Sequence, residues 1–203
     1  MESNLMHGYK KAFEMARDAL AGMDPGQVAL NTFCPYDRKG SFFTVKFLGT
    51  DNRVSFPNGE ASRPDGKTVT ATENVLLLHY LINAMNVPMA GDLISFREVK
   101  GGGANYYPIF YKRAILPLLK TFEKDPGRLA EFGLKLGGTV QGYGDASVTL
   151  PVFPLLPVTY AVWAGDGEIP GSAAVLFDRS VNSILPCEDV VLAASFGTYA
   201  LIK

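Results

Sequence analysis

Three carboxylates near the C-terminus have the residue types and spacing of a cation site. Asp166, Glu168 and Asp178 fall close together at the ends of expected strands, and Glu188 and Asp189 follow. Carboxylates converging from strand ends can hold Mg²⁺ or another hard cation, which takes oxygen ligands. Such an ion would activate water or a phosphate in hydrolase chemistry. They could equally form an acid/base pair with separated pKa values. Each acid also has a local structural use. Asp166 suits a turn, Asp178 can cap the segment after it, and Glu188 and Asp189 complement a helix dipole.

A second set surrounds a glycine run. Arg97 and Lys100 precede Gly101-Gly102-Gly103, and Tyr106 and Tyr107 follow. Backbone N–H groups of a glycine loop that enters a helix can cradle an anion, with Gly102 at the centre of such a loop. Arg97 and Lys100 would add charge, and Tyr106 or Tyr107 could stack on a ring. The run lacks GxGxxG and the Walker lysine, so a mobile connector competes with the binding reading. His79 sits at the edge of an apolar helical stripe. It can be a general base, a ligand to a corrinoid or haem, or a core-edge histidine with one satisfied hydrogen bond.

The thiols offer less. Cys34 in Cys-Pro-Tyr-Asp has no basic neighbour and reads as inert. Cys187 opens an expected helix, which would lower its pKa. Two cysteines cannot supply the four thiolates of an ordinary iron–sulfur cluster. His7 and His79 show no zinc spacing.

The elements that must position these residues can be read from periodicity. Leu5, Tyr9, Ala12, Phe13, Ala16 and Leu20 give a helix over 5–21. Asp24-Pro25 starts a second, with Asp24 as N-cap. Phe43, Val45 and Phe47 alternate, and a four-residue turn at 49–52 leads to Arg53–Phe56, which makes a hairpin. Lys67–Thr70 can add a strand. Thr72 caps a helix to about Asn86, with Val75, Leu78, Ile82 and Met85 buried. Asp92–Val99 reads as a strand. A helix from Asn105 to about Lys124 should kink at Pro117. Asp125-Pro126 opens a short helix. Val148–Phe153 and Val158–Trp163 are strands, the second central and buried on both faces, and Ala173–Phe177 is a short strand or a helical turn. Gly165-Asp166-Gly167 is a turn, and Pro186 begins a terminal helix. Pro151, Pro154 and Pro157 belong at sheet edges or bulges. Helices and strands are grouped rather than alternating. The expectation is α+β, a single domain with a mostly antiparallel sheet packed with several helices.

Bulk composition agrees. The chain has 203 residues, which suits one domain, and 47% of them are hydrophobic, enough for a core. Charged residues are 19% and net charge is −1, with no basic stripe, so nucleic acid is not the expected partner. No run is long enough to span a membrane. The sparse cysteines suit a reducing cytoplasm.

Several pieces in order resemble the domain of unknown function 3786 family. They are Leu76–Leu81 with His79, then Gly91-Asp92-Leu93-Ile94-Ser95-Phe96, then the glycines leading to Tyr106 and Phe110. Gly165–Pro170, Leu176-Phe177-Asp178, and Leu185-Pro186 with Glu188-Asp189 follow. The resemblance implies a protein of anaerobes. Some members are fused to a four-cysteine iron–sulfur segment like that of corrinoid proteins of one-carbon metabolism. The resemblance implies positions rather than an activity: His79, Arg97, the glycine loop, Asp166, Glu168 and Asp178. This chain lacks the extra cysteines, and has Gly167 and Ile169 where the family carries an acid and an aromatic.

Three functional classes follow. The first is a non-catalytic domain that accepts a small molecule, a cofactor or a partner protein. It would use His79, Arg97, Gly102, Tyr106 and Tyr107, in anaerobic one-carbon chemistry. The second is a metal-dependent hydrolase using Asp166, Glu168 and Asp178. The third is self-association through an apolar patch near residues 150–160.

Overall fold

Period-two alternation builds the first sheet. Phe43, Val45 and Phe47 are buried, while Phe42, Thr44 and Lys46 turn outward. The computed structural model describes residues 2–166 and 168–203. Gly167, expected in a turn, and the side chain of Leu5 lie outside the described residues. β2 (Phe42–Phe47) pairs antiparallel with β3 (Thr50–Ser55), and short strands β1 (Tyr36–Asp37) and β4 (Ala61–Ser62) flank them. The hairpin is tighter than the spacing suggested. Leu48 and Gly49 both have positive φ, 48° and 78°, which suits a two-residue turn. Thr50, Asp51 and Asn52 therefore lie in β3. Asn52 can be buried because its amide donates to the Val45 and Thr50 carbonyls. Residues 67–70 form no strand; β4 takes that place beside β3.

The second sheet has the order β5-β9-β8-β7-β6, with every pair antiparallel. Its strands are β5 (Leu93–Ser95), β6 (Thr139–Gln141), β7 (Ala146–Phe153), β8 (Leu156–Trp163) and β9 (Ser172–Asp178). The apolar run expected to be central is β8, in the middle of the sheet. The strand expected over Asp92–Val99 stops at Ser95 and becomes a short 3₁₀ turn. Pro151 faces Pro157, and the register shifts between Pro151 and Phe153. The prolines thus sit at an irregularity, where a missing N–H costs little. Val152, Phe153, Leu156 and Val158 are buried. The apolar surface expected at residues 150–160 is therefore mostly core, because these side chains face inward from β7 and β8.

Helices close the core. α1 (Glu2–Ala21) and α2 (Pro25–Thr32) lead in, and the Asp24 side chain caps α2 at Gln27 N–H. α3 (Ala71–Asn83) starts two residues earlier than expected. Thr70 is its N-cap, in a reciprocal capping box with Glu73. Val75, Leu76, Leu77, Leu78, Tyr80 and Leu81 are all buried. A single stripe ending at Met85 is too narrow an account, since Met85 lies beyond the helix and is 59% exposed. Tyr80 ties α3 to α2 and to the β7–β8 corner. Its ring stacks on Phe153 at 4.3 Å, and its hydroxyl donates to the Thr32 carbonyl and accepts from Leu155 N–H.

α4 (Gly103–Phe110) and α5 (Leu116–Phe122) are joined by a π-helical turn over Tyr111–Ile115. Pro117 has no N–H to donate back, and the wide turn directly precedes it. The helix expected from Asn105 to about Lys124 is thus three contiguous helical pieces, starting at Gly103 and ending at Phe122. α6 (Gly127–Lys135) and α7 (Cys187–Leu201) complete the fold, which is α+β.

Candidate functional site

Two of the singled-out residues meet across the fold. His79 on α3 places Nδ1 2.7 Å from Oδ2 of Asp189 on α7. The Asp189 side chain is 7% exposed and that of His79 25%. A carboxylate on Nδ1 fixes which ring nitrogen carries the proton. Nε2 has no hydrogen-bond partner among the described residues. In the sequence Asp189 trails the carboxylate set and suits a helix dipole; in the fold it is a buried partner.

The glycine loop is fastened rather than loose. Lys100 N–H donates to Oδ1 of Asn182, in the 3₁₀ segment Arg179–Ser183. Gly102 has φ 127°, a conformation that other residues avoid. At Gly103 a Cβ would collide with the Phe96 carbonyl. The glycines are needed to fold the loop back on the strand end. Arg97 lies 3.6 Å above the centre of the Tyr107 ring, a close cation–π stack. Glu188 stands beside the Tyr106 hydroxyl and raises its pKa, by hydrogen bonding and by its negative charge.

Between these groups lies a cleft of about 450 Å³. Asn83 and Met85 form one wall, Lys100 and Gly101 the second, and the start of α7 with Cys187 and Glu188 the third. Residues 182–186 connect them. None of His79, Arg97, Gly102, Tyr106 and Tyr107 lines this cleft directly. His79 sits one helical turn behind Asn83, whose amide donates to the His79 carbonyl. Tyr106 is linked to it through Glu188, while Arg97 and Tyr107 pair with each other. Sequence reasoning missed Asn83 and Asn182. No spacing signals either one, because their partners come from other segments.

The three carboxylates do not converge. Asp166 accepts from the N–H groups of Ile169 and Glu168 at 2.8 and 3.0 Å, and these bonds lower its pKa. Glu168 is exposed beside it. Asp178 ends β9, whose other end, Ser172, is about 20 Å away by strand rise. Burial pushes the Asp178 pKa up, but bonds from Ser180, Ala90 and Gly91 outweigh it and leave the pKa low. Those bonds tie the strand end to residues 90–91. Among the described residues, no group of three or more His, Cys, Asp or Glu side chains could hold a metal ion. An antiparallel strand runs between the acids and separates them.

Both cysteines are free and buried. Burial pushes the Cys34 thiol up to about 12, against a smaller opposing effect of the Thr32 hydroxyl. Cys187 is also raised, by burial and then by Glu188. The shift is opposite to the lowering expected from its helix N-terminus.

Among the described residues, no helix is long and apolar enough to cross a membrane. The family model for domain of unknown function 3786 matches residues 24–199. No curated protein and no solved structure matches the chain.

Proposed function

The chain belongs to the domain of unknown function 3786 family, and we propose that it is a non-catalytic binding domain whose cleft beside α7 takes a small polar molecule. The observation that carries this reading is convergence. The end of α3, the glycine loop and the start of α7 are far apart in sequence, yet they wall one recess of about 450 Å³. That volume lies in the usual range for small-molecule sites. Lys100 and Glu188 offer opposite charges at its rim, and Met85, Ile184 and Leu185 offer apolar contact. A ligand with an acceptor for Lys100 and a donor for Glu188 suits this lining. His79 and Asp189 support it from behind, as a positioning pair that braces α3 against α7.

The fusion of some family members to iron–sulfur segments supports an accessory role for this domain in cytoplasmic, anaerobic one-carbon chemistry. The ligand or a partner protein would supply that chemistry.

Native mass spectrometry of protein purified without oxygen tests the reading. Wild type should carry a small bound mass. Asn83→Trp, which fills the cleft from an exposed position, should lose it. A mass retained by Asn83→Trp would place the ligand elsewhere and overturn the assignment.

A further inference from the structure

The first sheet carries a separate recess of about 640 Å³ on its outward face. Its floor is set by alternation. Phe43, Val45 and Val54 point into the core, so Phe42, Thr44 and Arg53 must point out. Arg53 stands opposite Thr44 on β2 and Ser62 on β4. Its guanidinium lies over the Phe42 ring, 4.9 Å from the centroid. One wall is the turn after β1, which carries Arg38 and Lys39.

Charge in this recess is unbalanced. Among the described residues, Arg38, Lys39 and Arg53 make no ion pair. The two acids beside them are already engaged. Oδ1 of Asp37 accepts from the N–H groups of Lys39 and Gly40 at 2.8 and 2.9 Å. Asp51 faces Lys46 at 3.9 Å. The Arg53 guanidinium packs over Phe42 and has no hydrogen-bond partner among the described residues, which leaves it available for a forked contact.

We propose that this recess binds a small molecule bearing an oxyanion, phosphate or carboxylate. Arg53 is the anchor, and Arg38 and Lys39 flank it. A guanidinium fork matches two oxygens of either group, and the Thr44 hydroxyl can donate a further bond. Phe42 and Pro64 give the rest of the ligand an apolar rest. The site is independent of the cleft beside α7, so either can fail without the other.

Isothermal titration at low salt with inorganic pyrophosphate, and separately with citrate, tests it. Wild type should bind at least one probe saturably at one site. Pyrophosphate alone would indicate a phosphate ligand, and citrate alone a carboxylate. Arg53→Ala should weaken binding by about tenfold or more, the loss expected for a charged hydrogen-bonding partner. Arg53→Lys should fall between, keeping charge but losing the fork. Lys112→Ala, on the π-helical turn, should bind as wild type. Arg53 is exposed, and thermal unfolding confirms that each variant folds. Should Arg53→Ala not fold, Arg53→Lys and Lys39→Ala carry the test. Absence of saturable binding by either probe would overturn the proposal. So would wild-type affinity in the Arg53 variants. A single-stranded oligonucleotide that binds where neither small anion does would also contradict it.

Discussion

His79 and Asp189 show how much one pairing can change the meaning of two residues. Apart, they read as a core-edge histidine and a helix-dipole acid. Together, 2.7 Å apart, they brace α3 against α7. Removing His79 leaves a buried carboxylate without its partner, which costs about 1–3 kcal/mol. Urea denaturation of His79→Ala should show that loss, and Asp189→Asn, which keeps a polar group there, should lose less. Equal stability of His79→Ala and wild type would remove the bracing role. Cys34 gives a second expectation. Its folded pKa, about 12, lies above its ordinary 9.0. Tyr80 and Tyr160 are also raised by burial. The unfolded chain therefore releases these protons first. The stability they contribute is complete below about pH 9 and falls as pH rises toward 12. Urea midpoints taken through that window should decline. The inertness of Cys34 was legible from its lack of a basic neighbour. The raised pKa of Cys187 was not, because burial at a helix start depends on what packs over it.

At the scale of elements, local chemistry was legible and boundaries less so. Asp24-Pro25 located α2, and the alternation of Phe43, Val45 and Phe47 located β2. The hairpin turn was misplaced because Thr50–Asn52 look polar. The buried Asn52 amide is explained by bonds to the Val45 and Thr50 carbonyls and from Arg63, which sequence does not show. The carboxylates were near in sequence but not in space, since β9 extends between them. Packing also reverses a propensity argument in α7. Alanine at Gly197 would favour an isolated helix by about 1 kcal/mol. Here its Cβ would collide with the Tyr160 hydroxyl, which donates to the Ala194 carbonyl. Overpacking of this kind costs about 1–3 kcal/mol. Gly197→Ala should therefore lower the melting temperature, and adding Tyr160→Phe should recover part of the loss. A stabilised single variant would show that α7 can shift away from β8.

For the whole molecule, the fold class was legible because grouped helices and strands leave few architectures other than α+β. The two-sheet arrangement was not, since nothing in one strand's pattern says which sheet it joins. The cleft was the least legible feature. Asn83, Lys100, Asn182 and Glu188 come from four segments, and only the folded chain brings them together. Crystals soaked with a library of small polar fragments test whether this cleft takes a small polar molecule. Fragment density is expected between Lys100 and Glu188, in contact with Asn83 or Met85. Fragments found only at other sites, with the cleft empty, would contradict it.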